Sequence, residues 1–367
     1  MKKNYLKKYI MAAVFFVGMS IFATGCDNGY EELRIEDFFV FEENTLRVTE
    51  FENEDLRNEE FNIFLSDNRV QQLVTLSQGD DILNETTLVL EKYDGALRVV
   101  SWEFGHVFED ITGAEPLEPT IVLQEPLVVG TTWEQGGFAG GVSEITSVGE
   151  TVETPLGTFE NVIEVTTRLP NDGFSVQHFA VGYGMIQDSY FVVQEDITIG
   201  EIEWQGRERT ASTYLSEVRR NTANRVSSHV FVPGATPIPI EVAVYTNTDF
   251  VELFSDLLVR SSILSNSVTL NSVELDRAKS LVIADFSANF LDYVGGSSEE
   301  MALLESLANT FGKFYRIHNF SITLDGENYE SGHFQFDEDT FVHANWEAHL
   351  AEIDEECDAV DPQGRPI

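Results

Sequence analysis

Cysteine is nearly absent: the 367 residues hold two, Cys26 and Cys357, too few for a disulfide-stapled fold. Glu355, Glu356 and Asp358 crowd the second and disfavour its thiolate, which argues against redox or nucleophilic work there. Positive charge is scarce as well. Lys and Arg number 22 against 63 Asp and Glu, and the net charge of −41 repels phosphate backbones, so nucleic acid is excluded as a partner. No long apolar run follows the first 26 residues, and no later segment reads as a membrane span. Glycine-rich phosphate loops, Gly-x-Ser-x-Gly elbows and Asp-x-Asp-x-Asp-Gly calcium loops are missing. These absences imply no cofactor and no dedicated metal site. Core-forming material is plentiful: 43% hydrophobic residues and 27 Phe separate the chain from acidic disordered proteins.

The N-terminus has the plan of an export signal. Lys2, Lys3, Lys7 and Lys8 precede an uncharged apolar run from Ile10 to Phe22, too short to span a bilayer comfortably. Ala23-Thr24-Gly25 then leads into Cys26. This resembles the lipobox of bacterial lipoproteins, with Ala23 where Leu is usual. The resemblance implies a signal peptide over 1–25, lipid on Cys26, a tether over 26–32, and a place on the extracytoplasmic face of the cell membrane. Attachment by two or more acyl chains is stable, because each buried methylene contributes about 0.8 kcal/mol.

Periodicity divides the remainder into two domains. Residues 33–218 read as an all-β antiparallel domain. Leu88 to Tyr93 and Ala96 to Phe104 are β-rich runs joined at Asp94-Gly95, a hairpin signature because both residues tolerate positive φ. Phe159 to Leu169 alternates, with Ile163 and Val165 on one face and Glu160, Glu164 and Arg168 on the other. Thr154-Pro155-Leu156-Gly157 supplies the turn before it. No helical period is evident in this half. Arg219 to Pro239 gathers Asn, Thr, Ser and three prolines and reads as a linker. Residues 240–340 read as an α+β sandwich. It has strands at Ile240–Thr246, Val268–Val273, Leu281–Phe286 and Phe320–Leu324, and helices at Val251–Ser262 and Ser298–Phe314. The tail, 341–367, is acidic and suggests one more helix through Trp346, Leu350 and Ile353, with a frayed end.

Several stretches carry a family resemblance. Leu281-Val282-Ile283-Ala284-Asp285-Phe286-Ser287, Gly295-Gly296-Ser297-Ser298-Glu299-Glu300, Leu307 to Tyr315, Ile322 to Gly326 and Tyr329 to His333 resemble the GerMN domain. That domain is found in spore-germination and sporulation proteins and in other bacterial surface lipoproteins. The likeness spans roughly Glu241 to Phe336. Pro126 to Trp133, Thr154 to Phe159 and Phe179 to Ile186 resemble the β-rich domain that precedes it in lipoproteins of clostridia and their relatives. The family implies an envelope location and no established catalytic activity.

Few residues invite a chemical role. Ser297-x-x-Glu300 has the spacing of a capping box, so the tempting acid Glu300 reads first as a helix cap. Ser331 and His333 would share a strand face, but Glu330 would point away and leave them without an orienting third group. Asn309 and Thr310 interrupt a helix, and buried side-chain bonds to backbone explain them as well as a ligand would. His343 and His349, with Glu347 and Glu352, are six apart, unlike the four-residue spacing zinc uses. His106, His178, His229 and His318 are scattered. The reading is a lipid-anchored, non-enzymatic binding or assembly module of the cell envelope, with envelope protein or cell wall as partner. The alternatives are a carrier of a lipid or other apolar ligand inside the curved sheet and, less favoured, a peptidoglycan-acting enzyme.

Overall fold

The computed structural model describes residues 33–351 apart from 40, 53–54, 80, 138–139, 170–173, 193–197, 200–201, 204–208 and 338–339. One helical turn, α1 (Ile35–Phe38), opens it and buries Ile35 and Phe38. β1 (Thr45–Phe51), β2 (Leu56–Leu65), β3 (Arg69–Gln78), β4 (Asp81–Tyr93) and β5 (Ala96–Phe104) form an antiparallel meander. β6 (Thr120–Gln124), β7 (Thr132–Glu134), β8 (Val142–Thr154), β9 (Gly157–Arg168), β10 (Phe174–Ala180) and β11 (Gly184–Val192) follow. A ribbon of β12 (Thr198–Ile199) and β13 (Ile202–Glu203) precedes β14 (Arg209–Arg219), which returns between β1 and β11. The result is a twelve-stranded antiparallel sheet running from β6 through β5 to β1, then β14, β11, and back to β7. Its two ends meet. The Ile121 amide donates to the Gln135 carbonyl at 2.7 Å, and Trp133 Nε1 donates to the Ile121 carbonyl at 3.2 Å. Near closure of this kind shields strand edges that would otherwise template aggregation.

Turn chemistry sets the register. Asp94 and Gly95 adopt φ of 51° and 67°, the paired positive values of a type I′ turn, and Tyr93 faces Ala96 across it. Pro155 and Leu156 turn β8 into β9, where Ile163 and Val165 are buried while Glu160 and Arg168 face solvent. α1 departs from the expectation of no helix in this half. Its two apolar residues, three apart, make one turn, which is too short to leave a period; Asp37 accepts the Arg34 amide at 2.8 Å to hold it. Phe38 and Phe39 of this end line a hollow of about 30 Å³, room for a water or two and not for an acyl chain.

The second region begins earlier than its composition suggests. Arg219–Pro239, read as a linker, contains β15 (Asn224–Val230), which pairs with β16 (Ile238–Val244) as an antiparallel hairpin. Asn224, Val226, Ser228 and Val230 alternate inward, and the two polar members of that series disguise the period of two. α2 (Phe250–Arg260) follows, capped by Asp249, whose carboxylate accepts the Val251 and Glu252 amides at 3.0 Å. β17 (Leu270–Asp276) pairs antiparallel with β18 (Leu281–Phe286). From β18 the chain crosses through α3 (Phe290–Tyr293) and α4 (Ser297–Tyr315) to the parallel β19 (Asn319–Leu324). Asp325-Gly326 then turns into β20 (Glu327–Asn328), and β21 (Val342–His343) adds to β19 before a helical stretch at 346–351. Among the described residues no helix is long and apolar enough to cross a membrane.

α4 is buried almost all round. Leu303, Leu304, Leu307, Ala308 and Phe311 form the expected apolar stripe, and Phe311 stacks on Phe320 of β19 at 5.6 Å. Gly312 is there for proximity: a Cβ would lie 2.7 Å from the Trp346 ring and 2.8 Å from Ala344. The core does not divide where two domains were expected to part. One cluster runs from Leu46, Phe61 and Leu73 of the sheet through Phe108 into Val226, Phe254, Phe311 and Phe320. Phe108 is the joint, with ring centroids 5.3 Å from Phe250 and 5.2 Å from Phe314. The molecule is mostly antiparallel β, built on one large, nearly closed sheet.

Candidate functional site

The residues singled out from the sequence fall mainly on α4 and the turn after β20. Gly296, not Ser297, holds the N-cap position of α4, and no side chain caps it. The capping-box expectation is therefore corrected. Ser297 is exposed as the first helical residue, whereas Glu300 is only 1% exposed and turns inward. Its Oε1 accepts the Tyr329 hydroxyl at 2.6 Å. Tyr329 is itself buried between Phe290 and Phe336, with centroids at 5.9 and 5.5 Å. Burial first, then the Glu300 carboxylate beside it, push the Tyr329 phenol above its ordinary pKa. The sequence pointed to the acid and not to its partner, because the two lie 29 positions apart and only the fold joins them.

Ser331 organises a turn. Its Oγ accepts the backbone amides of His333 at 3.0 Å and Phe334 at 2.9 Å, so His333 meets it through the main chain. Glu330 is exposed and forms an isolated bridge with Gln335. Asn309 Oδ1 accepts the Asn345 amide at 2.6 Å, just ahead of the 346–351 helix. Thr310 Oγ1 donates to the Ser306 carbonyl at 2.8 Å and accepts the Phe231 amide at 3.0 Å, while Ser306 Oγ donates to the Phe231 carbonyl. A side face of α4 thus grips the end of β15. The gripped hairpin turn, with Pro233 and Pro237, forms an open cleft of about 470 Å³ with Glu305, Asn309 and His349.

The histidines stay dispersed in roles. His318 stacks on Trp346 at 4.3 Å and lies 5.5 Å from His343, while His349 lies 6.1 Å from Phe231. His106 is buried beside Thr75 at 3.1 Å, and burial lowers its pKa against the pull of Glu85. His178 sits 3.4 Å from Glu164, with burial again the larger influence on a lowered pKa. Among the described residues no three His, Cys, Asp or Glu gather as a metal ion would require. Cys26, Cys357 and Glu352 lie outside the described residues.

Sequence reasoning missed the contacts between the two regions. Arg316, at the αL end of α4 with φ 57°, bonds Glu85 of β4 at 2.7 Å. Arg277 reaches Glu109 at 3.0 Å and Glu103 at 3.9 Å. Trp102 and Phe104 stand on the other face of β5 from Glu103, with rings 5.1 Å apart. No motif marks the ion pairs, since each spans distant parts of the chain.

Comparison with curated proteins and with solved structures gives no match. Residues 229–330 match the Germane family model, described as sporulation and spore germination. That span starts at the end of β15 and ends just past Tyr329, so it takes in the hairpin turn, β16, α4 and the Glu300–Tyr329 pair. The C-terminal region is a germination-related, GerMN-like domain.

Proposed function

We propose that the protein is anchored by lipid on Cys26 at the extracytoplasmic face of the membrane. There it acts as a non-enzymatic binding or assembly module of the envelope during sporulation or germination. The observation that carries this reading is how the polar residues of the GerMN-like domain are used. Glu300 takes the Tyr329 hydroxyl, Ser331 takes two amides, and Asn309 and Thr310 clasp distant backbone. A catalytic acid or nucleophile needs a lone pair or proton directed at substrate. Here those groups are engaged in holding the fold, and what the domain offers to solvent is surface. The sheet region adds a second surface through the shared core, which fits a scaffold with several contacts.

Two measurements test the proposal. Cys26→Ser should abolish incorporation of labelled palmitate and leave the chain either soluble outside or held by an uncleaved signal; normal processing with retained membrane binding would remove the anchor. Mild cross-linking in the native envelope followed by pull-down should recover a defined envelope protein or cell-wall fragment. Turnover of labelled peptidoglycan by the purified chain would replace the binding module with an enzyme.

A further inference from the structure

We propose that the end of the sheet at which the chain enters lies against the bilayer, with apolar side chains from three turns seated in the lipid headgroup layer. This deepens the anchoring reading and rests on it for the lipid on Cys26.

α1 gathers the three turns. The Ile35 amide donates to Glu125 Oε1 at 3.0 Å, and the Glu125 amide donates to the Gly95 carbonyl at 2.8 Å. One residue before the end of α1, the Asp37 carbonyl accepts the Gly182 amide at 2.6 Å. The β4–β5 turn, the loop between β6 and β7 and the β10–β11 turn therefore surround the place where the chain enters at Arg34. Each presents apolar surface to water. Tyr93 is 56% exposed, Val128 and Val129 are 55% and 62%, and Val181 and Tyr183 are 42% and 38%. Leu127 is buried and fixes its loop, so its two neighbours are displayed by a seated segment. Exposed apolar side chains gathered from separate turns mark a surface that meets lipid or protein.

The place of this patch decides for lipid. Between Cys26 and Arg34 an extended chain gains at most about 3.6 Å per residue, so Arg34 stays within about 29 Å of the anchoring lipid. Such a tether holds the patch at high effective concentration beside the bilayer. The opposite end of the sheet is apolar too, with Leu83 54% exposed, but it stands a strand length away: the 13 residues of β4 cover about 43 Å. Tyr93 and Tyr183 suit the interface, where a ring takes the apolar side and its hydroxyl stays wet. Glu36, Asp37 and Asp94 are exposed at the same end, and the whole chain carries −41. Attraction to anionic lipid therefore does not drive the contact; burial of apolar side chains does.

The test uses the full lipidated chain in phosphatidylcholine vesicles, with Cys357→Ser so that a single introduced thiol takes the label. An environment-sensitive fluorophore on Val129→Cys should shift to the blue and be quenched by nitroxide-labelled lipid. The same fluorophore on Leu83→Cys should report water and no quenching. Phosphatidylglycerol vesicles at low salt should give a smaller shift than phosphatidylcholine. With the fluorophore on Val181→Cys, adding Val129→Asp should lower the ratio of docked to undocked chain about tenfold at unchanged melting temperature, because that side chain is mostly in water before docking. No quenching at Val129, equal quenching at Val129 and Leu83, or stronger docking on phosphatidylglycerol would overturn the proposal. So would a blue shift that nitroxide lipid leaves unquenched, which would put a second copy of the chain over the patch. Mass spectrometry of the purified chain reads the anchor separately. Lipid on Cys26 with the Val129 fluorophore in water removes the docking alone. A chain without lipid that floats with vesicles and detaches on Val129→Asp keeps the docking and removes the anchor; one that does not float removes both.

Discussion

In the sheet, buried Glu91 meets Arg69 and Arg98, its direct neighbours on the strands either side, at 2.8 and 2.7 Å. On α4, by contrast, Ser306, Asn309 and Thr310 reach the backbone of residues 231 and 345, well away along the chain. Around Glu91 the charge pairing is thus settled by register, one strand against the next, while Gln71 of β3 reaches past the sheet to the Val107 and Glu109 carbonyls. In the GerMN-like domain polar burial is settled by docking, where a helix side chain satisfies an amide or carbonyl that another element leaves bare. The first arrangement depends on a turn being right. The second depends on the whole unit having assembled.

The sharpest way to break this contrast is at the joint between the regions. Phe108→Ala should cost about 3–5 kcal/mol and replace one cooperative thermal transition by two, the GerMN-like region melting apart from the sheet. Two separate transitions in the wild-type calorimetric trace would show instead that the shared core does not couple them.

A smaller effect is expected at the buried pair. Tyr329→Phe leaves the Glu300 carboxylate short of its donor and should destabilise by about 1–3 kcal/mol. Glu300→Gln, which still presents an acceptor, should be milder, and Glu300→Ala worse. Loss of envelope cross-linking in Glu300→Gln at unchanged melting temperature would move this pair from structure to function.

Asp249→Ala removes two amide contacts at the start of α2 and should cost about 1 kcal/mol, read as a lower denaturant midpoint with an unchanged slope. An effect near zero would place the stability of α2 wholly in its buried face.

The smallest effect tests electrostatics on α4. Burial, then the neighbouring Arg316, push Lys313 down to about 8. The unfolded chain therefore holds this proton more tightly than the folded one. Its penalty on the native state is full below about 8 and fades as pH rises towards 10.5, the ordinary lysine value. Lys313→Met should melt higher than wild type at pH 7, and the gap should close between pH 8 and 10.5. A gap that is constant with pH would assign the gain to packing.

Much of the fold was legible where a local rule decides it. Asp94-Gly95, Pro155-Leu156 and Asp325-Gly326 mark their turns, Ile163 and Val165 show their buried face, and Leu303 to Phe311 show theirs. β15 was hidden because Asn224 and Ser228 occupy inward positions that a pattern reader takes as wet. α1 was hidden because one turn has no period. Ser297 and Glu300 carry the right spacing for a cap, yet the helix start is uncapped by side chains and the acid is drawn inward by a phenol that no local rule could place.

What the sequence determined by itself was the class of those segments whose pattern is local: period, turn chemistry and charge act over a few residues and need no partner. It also set the acidic field and the resemblance that a family model matches over 229–330. Tertiary structure alone decided the continuous core through Phe108, the pairing of Glu300 with Tyr329, and the ion pairs of Arg277 with Glu109 and of Arg316 with Glu85. Each brings together side chains from separate elements, and their distance depends on how sheet and helix pack, a quantity that no window of sequence contains.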